Sequence, residues 1–151
     1  FEIAQTASHV AIMQEMAHET RVIPVDNRPH IPSSLQQWVG DSKGRWEGES
    51  FVVETKNFSA GSTFMNHPSE NLHLTERYTM VDDDTLVWML TVDDASIWTS
   101  AWTLQINLKR SAEPIYEYAC HEGNLSMEGI LAGHRSKEAE AANLQSSGGQ
   151  E

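Results

Sequence analysis

Residues 72–81 read Leu72-His73-Leu74-Thr75-Glu76-Arg77-Tyr78-Thr79-Met80-Val81. Leu72, Leu74, Tyr78 and Met80 fall in one alternating row, and His73, Thr75, Arg77 and Thr79 fall in the other. A period of two is the signature of a strand with one face in a core. Glu76 stands in the apolar row. A carboxylate there must be paired, hydrogen-bonded or protonated. The pattern therefore predicts a polar neighbour, an arginine or a tyrosine.

Downstream, Asp82-Asp83-Asp84 has the chemistry of a polar hairpin turn. Residues 85–92 then place Leu86, Trp88, Leu90 and Val92 opposite Val87, Met89 and Thr91. Residues 101–110 place Trp102, Leu104, Ile106 and Leu108 opposite Thr103, Gln105, Asn107 and Lys109. Residues 115–121 alternate as well, with Tyr116, Tyr118 and Cys120 against Ile115, Glu117, Ala119 and His121.

Upstream, residues 2–6, 9–16 and 19–25 read as strands, followed by a turn at Asp26-Asn27-Arg28-Pro29. Pro32, Ser33, Ser34 and Gln37 have the spacing of a helix start, and Gly40 can end it, so a short helix is predicted near 33–39. Asp41-Ser42-Lys43-Gly44 reads as a turn, and residues 45–58 as a hairpin turning at Glu47-Gly48-Glu49. Residues 59–70 form the longest loop, long enough to serve as a lid. An Ala- and Glu-rich helix is expected over 124–143, and a disordered tail over 146–151.

About eight sequential antiparallel strands predict a mainly β fold. The expected architecture is an up-and-down, lipocalin-like β-barrel in a single domain, residues 1–145. A jelly roll or other two-sheet sandwich is the alternative. A barrel of this size has room for packed side chains or one small ligand.

The net charge of −12 excludes phosphate backbones and anionic membrane surfaces as partners. No apolar run approaches the roughly 18 residues of a membrane-spanning helix. The chain begins in strand-like sequence without an initiator methionine, which is expected of a trimmed, mature form. The single cysteine, Cys120, allows no internal disulfide.

Polar residues on otherwise apolar strands mark the predicted site. Glu76, Glu117 and His121 supply carboxylate and imidazole, the commonest acid–base pairing. The same three residues would equally serve as a hydrogen-bond network that fixes strand register. Arg28, His73, Arg77, Trp98, Tyr116 and Tyr118 are the expected ligand-binding side chains. No histidine pair has a metal-ligand spacing, so no metal site is predicted, and the cofactor stays open. Cys120 and His121 are adjacent, so on a strand they point apart, which argues against a nucleophile–base pair.

Four stretches carry a resemblance: residues 21–30 (RVIPVDNRPH), 40–58 (GDSKGRWEGESFVVETKNF), 69–79 (SENLHLTERYT) and 114–133 (PIYEYACHEGNLSMEGILAG). On these strings the chain resembles a family of uncharacterised, exported bacterial proteins. The resemblance implies a periplasmic or secreted setting. It assigns no activity.

Two functional expectations follow. One is an exported small-molecule-binding barrel with acid–base chemistry of lyase, isomerase or hydratase type on a small organic or sugar-like ligand. The other is a non-enzymatic interaction module, a subunit of a homo-oligomer or of an exported assembly.

Overall fold

The computed structural model describes residues 1–26, 28–119, 122–123 and 126–147. It forms two compact units, Phe1–Glu117 and Tyr118–Glu151. The first is all β. Its strands are β1 (Glu2–Gln5), β2 (His9–Met13), β3 (Thr20–Pro24), β4 (Asp41–Glu47), β5 (Ser50–Lys56), β6 (Thr63–Phe64), β7 (His67–Pro68), β8 (His73–Asp82), β9 (Thr85–Asp93) and β10 (Trp102–Lys109). The second unit holds one helix, α1 (Ser126–Ser147), so the helix runs past the predicted end at 143.

Every ladder is antiparallel and joins strands close in sequence. The orders are β1-β2-β3, β10-β9-β8-β5-β4 and β6-β7. The two larger sheets stack around one core of Val10, Ile12, Ile23, Phe51, Val53 and Tyr78. A second core, under the 57–72 and 94–100 segments, gathers Phe58, Leu72, Leu74, Leu90 and Val92. Both cores lie on the same face of the five-stranded sheet. Register places Phe51 beside Tyr78 and Trp88, and Val53 beside Glu76 and Leu90.

The expected barrel is not closed among the described residues. β3 packs beside β4, but no ladder joins them, and β1 and β10 are unpaired edges. The arrangement is two stacked antiparallel sheets with an open seam. Gly44 marks where β3 and β4 approach. A methyl on it would stand 2.5 Å from Phe51 Cζ and 3.0 Å from Ile23 Cγ2.

Three local expectations are corrected. Residues 33–39 form turns, not a helix, because the Gln37 backbone is taken elsewhere. Its amide donates to Asn57 O at 2.8 Å and its carbonyl accepts from Ser59 N at 2.8 Å. Asp41 opens β4 where a turn was predicted, since the same bridge carries the chain straight into the sheet. Residues 115–119 join no ladder. Pro114 brings no backbone donor, and Tyr116 and Tyr118 stay exposed. Residues 120–121 lie outside the described residues.

The 47–49 turn forms as read: Gly48 sits at φ +62° between β4 and β5. The 59–70 loop contains the small β6–β7 hairpin, whose tip residues Met65 and Asn66 both have positive φ. Phe64 of that hairpin packs edge-on against Trp98, so the segment caps the second core.

Candidate functional site

Glu76 is 3% exposed and meets both predicted partner types. Arg21 Nη1 donates to Oε2 at 2.5 Å, and Arg21 Nη2 donates to Oε1 at 3.0 Å. The Tyr78 hydroxyl donates to Oε1 at 2.6 Å. Arg21 shares the inward row of β3 with Ile23, so its guanidinium reaches across from the three-stranded sheet. Burial works against the Arg21 charge, but the Glu76 carboxylate outweighs it and the pKa is raised. Burial likewise pushes the Tyr78 phenol up. A carboxylate with both oxygens committed to a fork and a phenol is an inter-sheet clamp.

The remaining predicted residues are scattered. Arg77 lies on the opposite face of β8 from Glu76, and its Nη2 donates to Glu47 at 2.5 Å. Arg28 is exposed and pairs with Asp26. Glu117, Tyr116 and Tyr118 are exposed. Trp98 packs edge-on with Phe64, His67 and Trp102, inside the second core. His121 lies outside the described residues. The described members of the Glu76, Glu117 and His121 constellation do not meet.

His73 belongs to a different cluster, on the outer face of the five-stranded sheet. Asp41 and Lys56 pair across β4 and β5, and His73 and Asp93 pair across β8 and β9. Above them, Asp41 Oδ2 holds His30 Nδ1 at 2.8 Å and accepts the Ile31 amide at 3.0 Å. Lys43 Nζ is 3.3 Å from the other Asp41 oxygen. Asn57 Nδ2 donates to Ile31 O at 2.8 Å, so the 28–32 segment is fastened at two points. The imidazole atoms His30 Nε2 and His73 Nε2 are both buried without a hydrogen-bond partner.

Burial alone would raise Asp41. The Ile31 amide, His30 and Lys43 outweigh it and hold the carboxyl below its usual range. Burial, with Lys56 adding to it, lowers His73. A lowered pKa stabilises the fold above the unfolded-state value and is lost as pH falls through the folded one. The urea midpoint is therefore expected to drop on acidification below about pH 6.5, from His73, and again below about pH 4, from Asp41. His73→Gln should remove the first decrease, and Asp41→Asn should reduce the second, to which Glu54, Asp26, Glu47 and Asp82, also held below their usual range by neighbouring donors, contribute.

A cavity of about 540 Å³ lies at the open seam between β1 and β10. Ile3, Met80, Leu86, Leu108, Pro114 and Ile115 supply its apolar wall. Lys109 and Arg110 also line it. A hollow of about 220 Å³ lies under Trp38, with Phe58, Phe64 and Leu72 in its wall.

Among the described residues, no group of three or more His, Cys, Asp or Glu side chains can hold a metal ion. No described helix is long and apolar enough to cross a membrane.

Comparison with known proteins finds no matching family model, curated protein or solved structure.

Sequence reasoning missed Arg21, the His30–Asp41 pair and the seam. The signal for Arg21 was present, since alternation with Ile23 puts it on the core row of β3. Asp41 was hidden by its turn-like neighbours.

Proposed function

We propose that this chain is a small-molecule-binding domain that takes its ligand into the seam cleft, in the exported setting its motifs imply. The observation that carries the reading is the cleft itself. It is concave, its apolar wall is rimmed by the charged residues Glu2, Asp84, Lys109, Arg110 and Glu113, and its size falls in the range of about 300–1,000 Å³ for ligand sites. The unpaired edges of β1 and β10 leave it open to solvent.

Titration with the neutral dye Nile red tests the reading. Bound dye should show blue-shifted emission. Leu108→Trp, which fills the cleft, should weaken binding about tenfold, equivalent to about 1.4 kcal/mol. A dye that binds the variant as well as the parent would remove the cleft as the site.

A second reading rests on His30 and Asp41. A carboxylate that fixes one imidazole nitrogen and leaves the other uncommitted is the arrangement of a general base. It gives the acid–base expectation a centre away from Glu76. Its test is a substrate-independent one: histidine NMR should show His30 held in one tautomer, and Asp41→Asn should release it.

A further inference from the structure

We propose that β10 is a dimerisation edge, which pairs antiparallel with β10 of a second copy of this chain about a twofold axis at Gln105. The inference stands apart from the ligand reading of the cleft, since the pairing uses β10 alone and leaves β1 an open edge.

Exposed strand edges invite pairing, and folded chains blunt them with charges, proline, bulges or shortness. The other edges of the two larger sheets carry such devices. β1 has four residues, one of them Glu2. β3 and β4 pack beside each other, and β4 carries Asp41, Lys43, Arg45 and Glu47. β10 has none of these devices between Trp102 and Leu108. It is eight residues long, its ladder with β9 runs without a bulge, and its one charge is Lys109 at the end. That is a long, regular, neutral edge in a chain of net charge −12.

The backbone groups along this edge are turned outward. Arg110 N donates to Asp84 O at 2.9 Å, continuing the register of the β9 ladder. Hydrogen-bonding direction alternates along an antiparallel strand. Leu104, Ile106 and Leu108 therefore share the Arg110 direction, toward β9. Thr103, Gln105 and Asn107 turn their N–H and C=O groups to the open side, where no described strand lies.

The edge also complements itself. Pairing about Gln105 sets Trp102 of each copy opposite Leu108 of the other, and Leu104 opposite Ile106, all on the inner face. On the outer face it sets Thr103 opposite Asn107, and Gln105 opposite its own copy. Lys109 falls opposite Ala101, so no like charges meet across the axis. Ile106, 42% exposed in the single chain, gains an apolar neighbour. One strand serving both sides of a twofold axis is an isologous interface, the form used by the commonest soluble oligomers.

Sedimentation velocity across a dilution series should show the chain passing from monomer to dimer as concentration rises. Amide exchange in the same samples should slow at Gln105 and Asn107 on dimerisation, while Leu104 and Ile106 stay protected throughout. Gln105 is exposed, so Gln105→Lys should leave the monomer's urea midpoint unchanged. It sets two ammonium groups on the axis and should weaken dimerisation about tenfold or more, whereas the neutral Gln105→Thr should retain it. A monomer at every concentration overturns the inference. So does a dimer that Gln105→Lys does not weaken, or one in which Gln105 and Asn107 exchange as fast as in the monomer. Slow exchange at Gln105 in a chain that stays monomeric would show that another segment of the same chain covers the edge, and overturns it as well.

Discussion

Glu76→Ala is expected to destabilise the protein by about 3 kcal/mol, read as a lower urea midpoint at unchanged slope. The carboxylate is buried and carries three hydrogen bonds, two from Arg21 and one from Tyr78. Removing it strands a guanidinium between the sheets with nothing to neutralise it. Breaking a buried pair from one side costs about 3–5 kcal/mol. The Arg21 side chain is 20% exposed, so water recovers part of the loss and the lower end applies. Arg21→Ala should cost a similar amount, because it leaves the carboxylate uncompensated. The double replacement Arg21→Met with Glu76→Leu should recover much of the stability, since an apolar pair of similar bulk carries no desolvation penalty. A loss below about 1 kcal/mol for Glu76→Ala would mean that the clamp is solvated and does not join the sheets.

That clamp also shows what the sequence could and could not reveal. Strict alternation in β8, β9 and β10 gave their faces, and so gave the burial of Glu76. It also gave the arginine or tyrosine partner as a type. It did not reveal which arginine, because Arg21 lies 55 residues away and pairing between sheets is a tertiary fact. The helix expected near 33–39 failed for the same reason. Its capping pattern was local, and the Gln37 backbone was claimed by Asn57 and Ser59. Residues 115–119 alternate like a strand, yet no edge receives them. Alternation states a capacity for pairing and says nothing about the presence of a partner. The seam was illegible because barrel closure depends on whether β1 and β10 meet, which no window of sequence records.

Phe51→Ala should be the other large loss, about 3–5 kcal/mol. The ring is 5% exposed and sits in the core shared by both sheets. It touches Trp46 at 5.2 Å between centroids and Tyr78 at 6.4 Å. Its position depends on a neighbour that has no side chain. The ring fills the space over Gly44, where a methyl would lie 2.5 Å from Cζ and 2.7 Å from Cε2. Gly44→Ala alone should therefore cost about 1–3 kcal/mol through overpacking. The two effects should not add. With the ring gone, the closest remaining atom is Ile23 Cγ2 at 3.0 Å, a contact that a small shift of one methyl relieves. In the Phe51→Ala background, Gly44→Ala should cost little, giving a coupling energy of about 1–2 kcal/mol across the four proteins. Urea unfolding of the parent, the two single variants and the double variant measures it. Strictly additive losses would show that Gly44 is required by its own backbone and not by the ring. The approach of β3 to β4 would then owe nothing to Phe51. A coupling of the expected size makes the ring-over-glycine contact the reason the two sheets can stack closely there while the seam between β1 and β10 stays open.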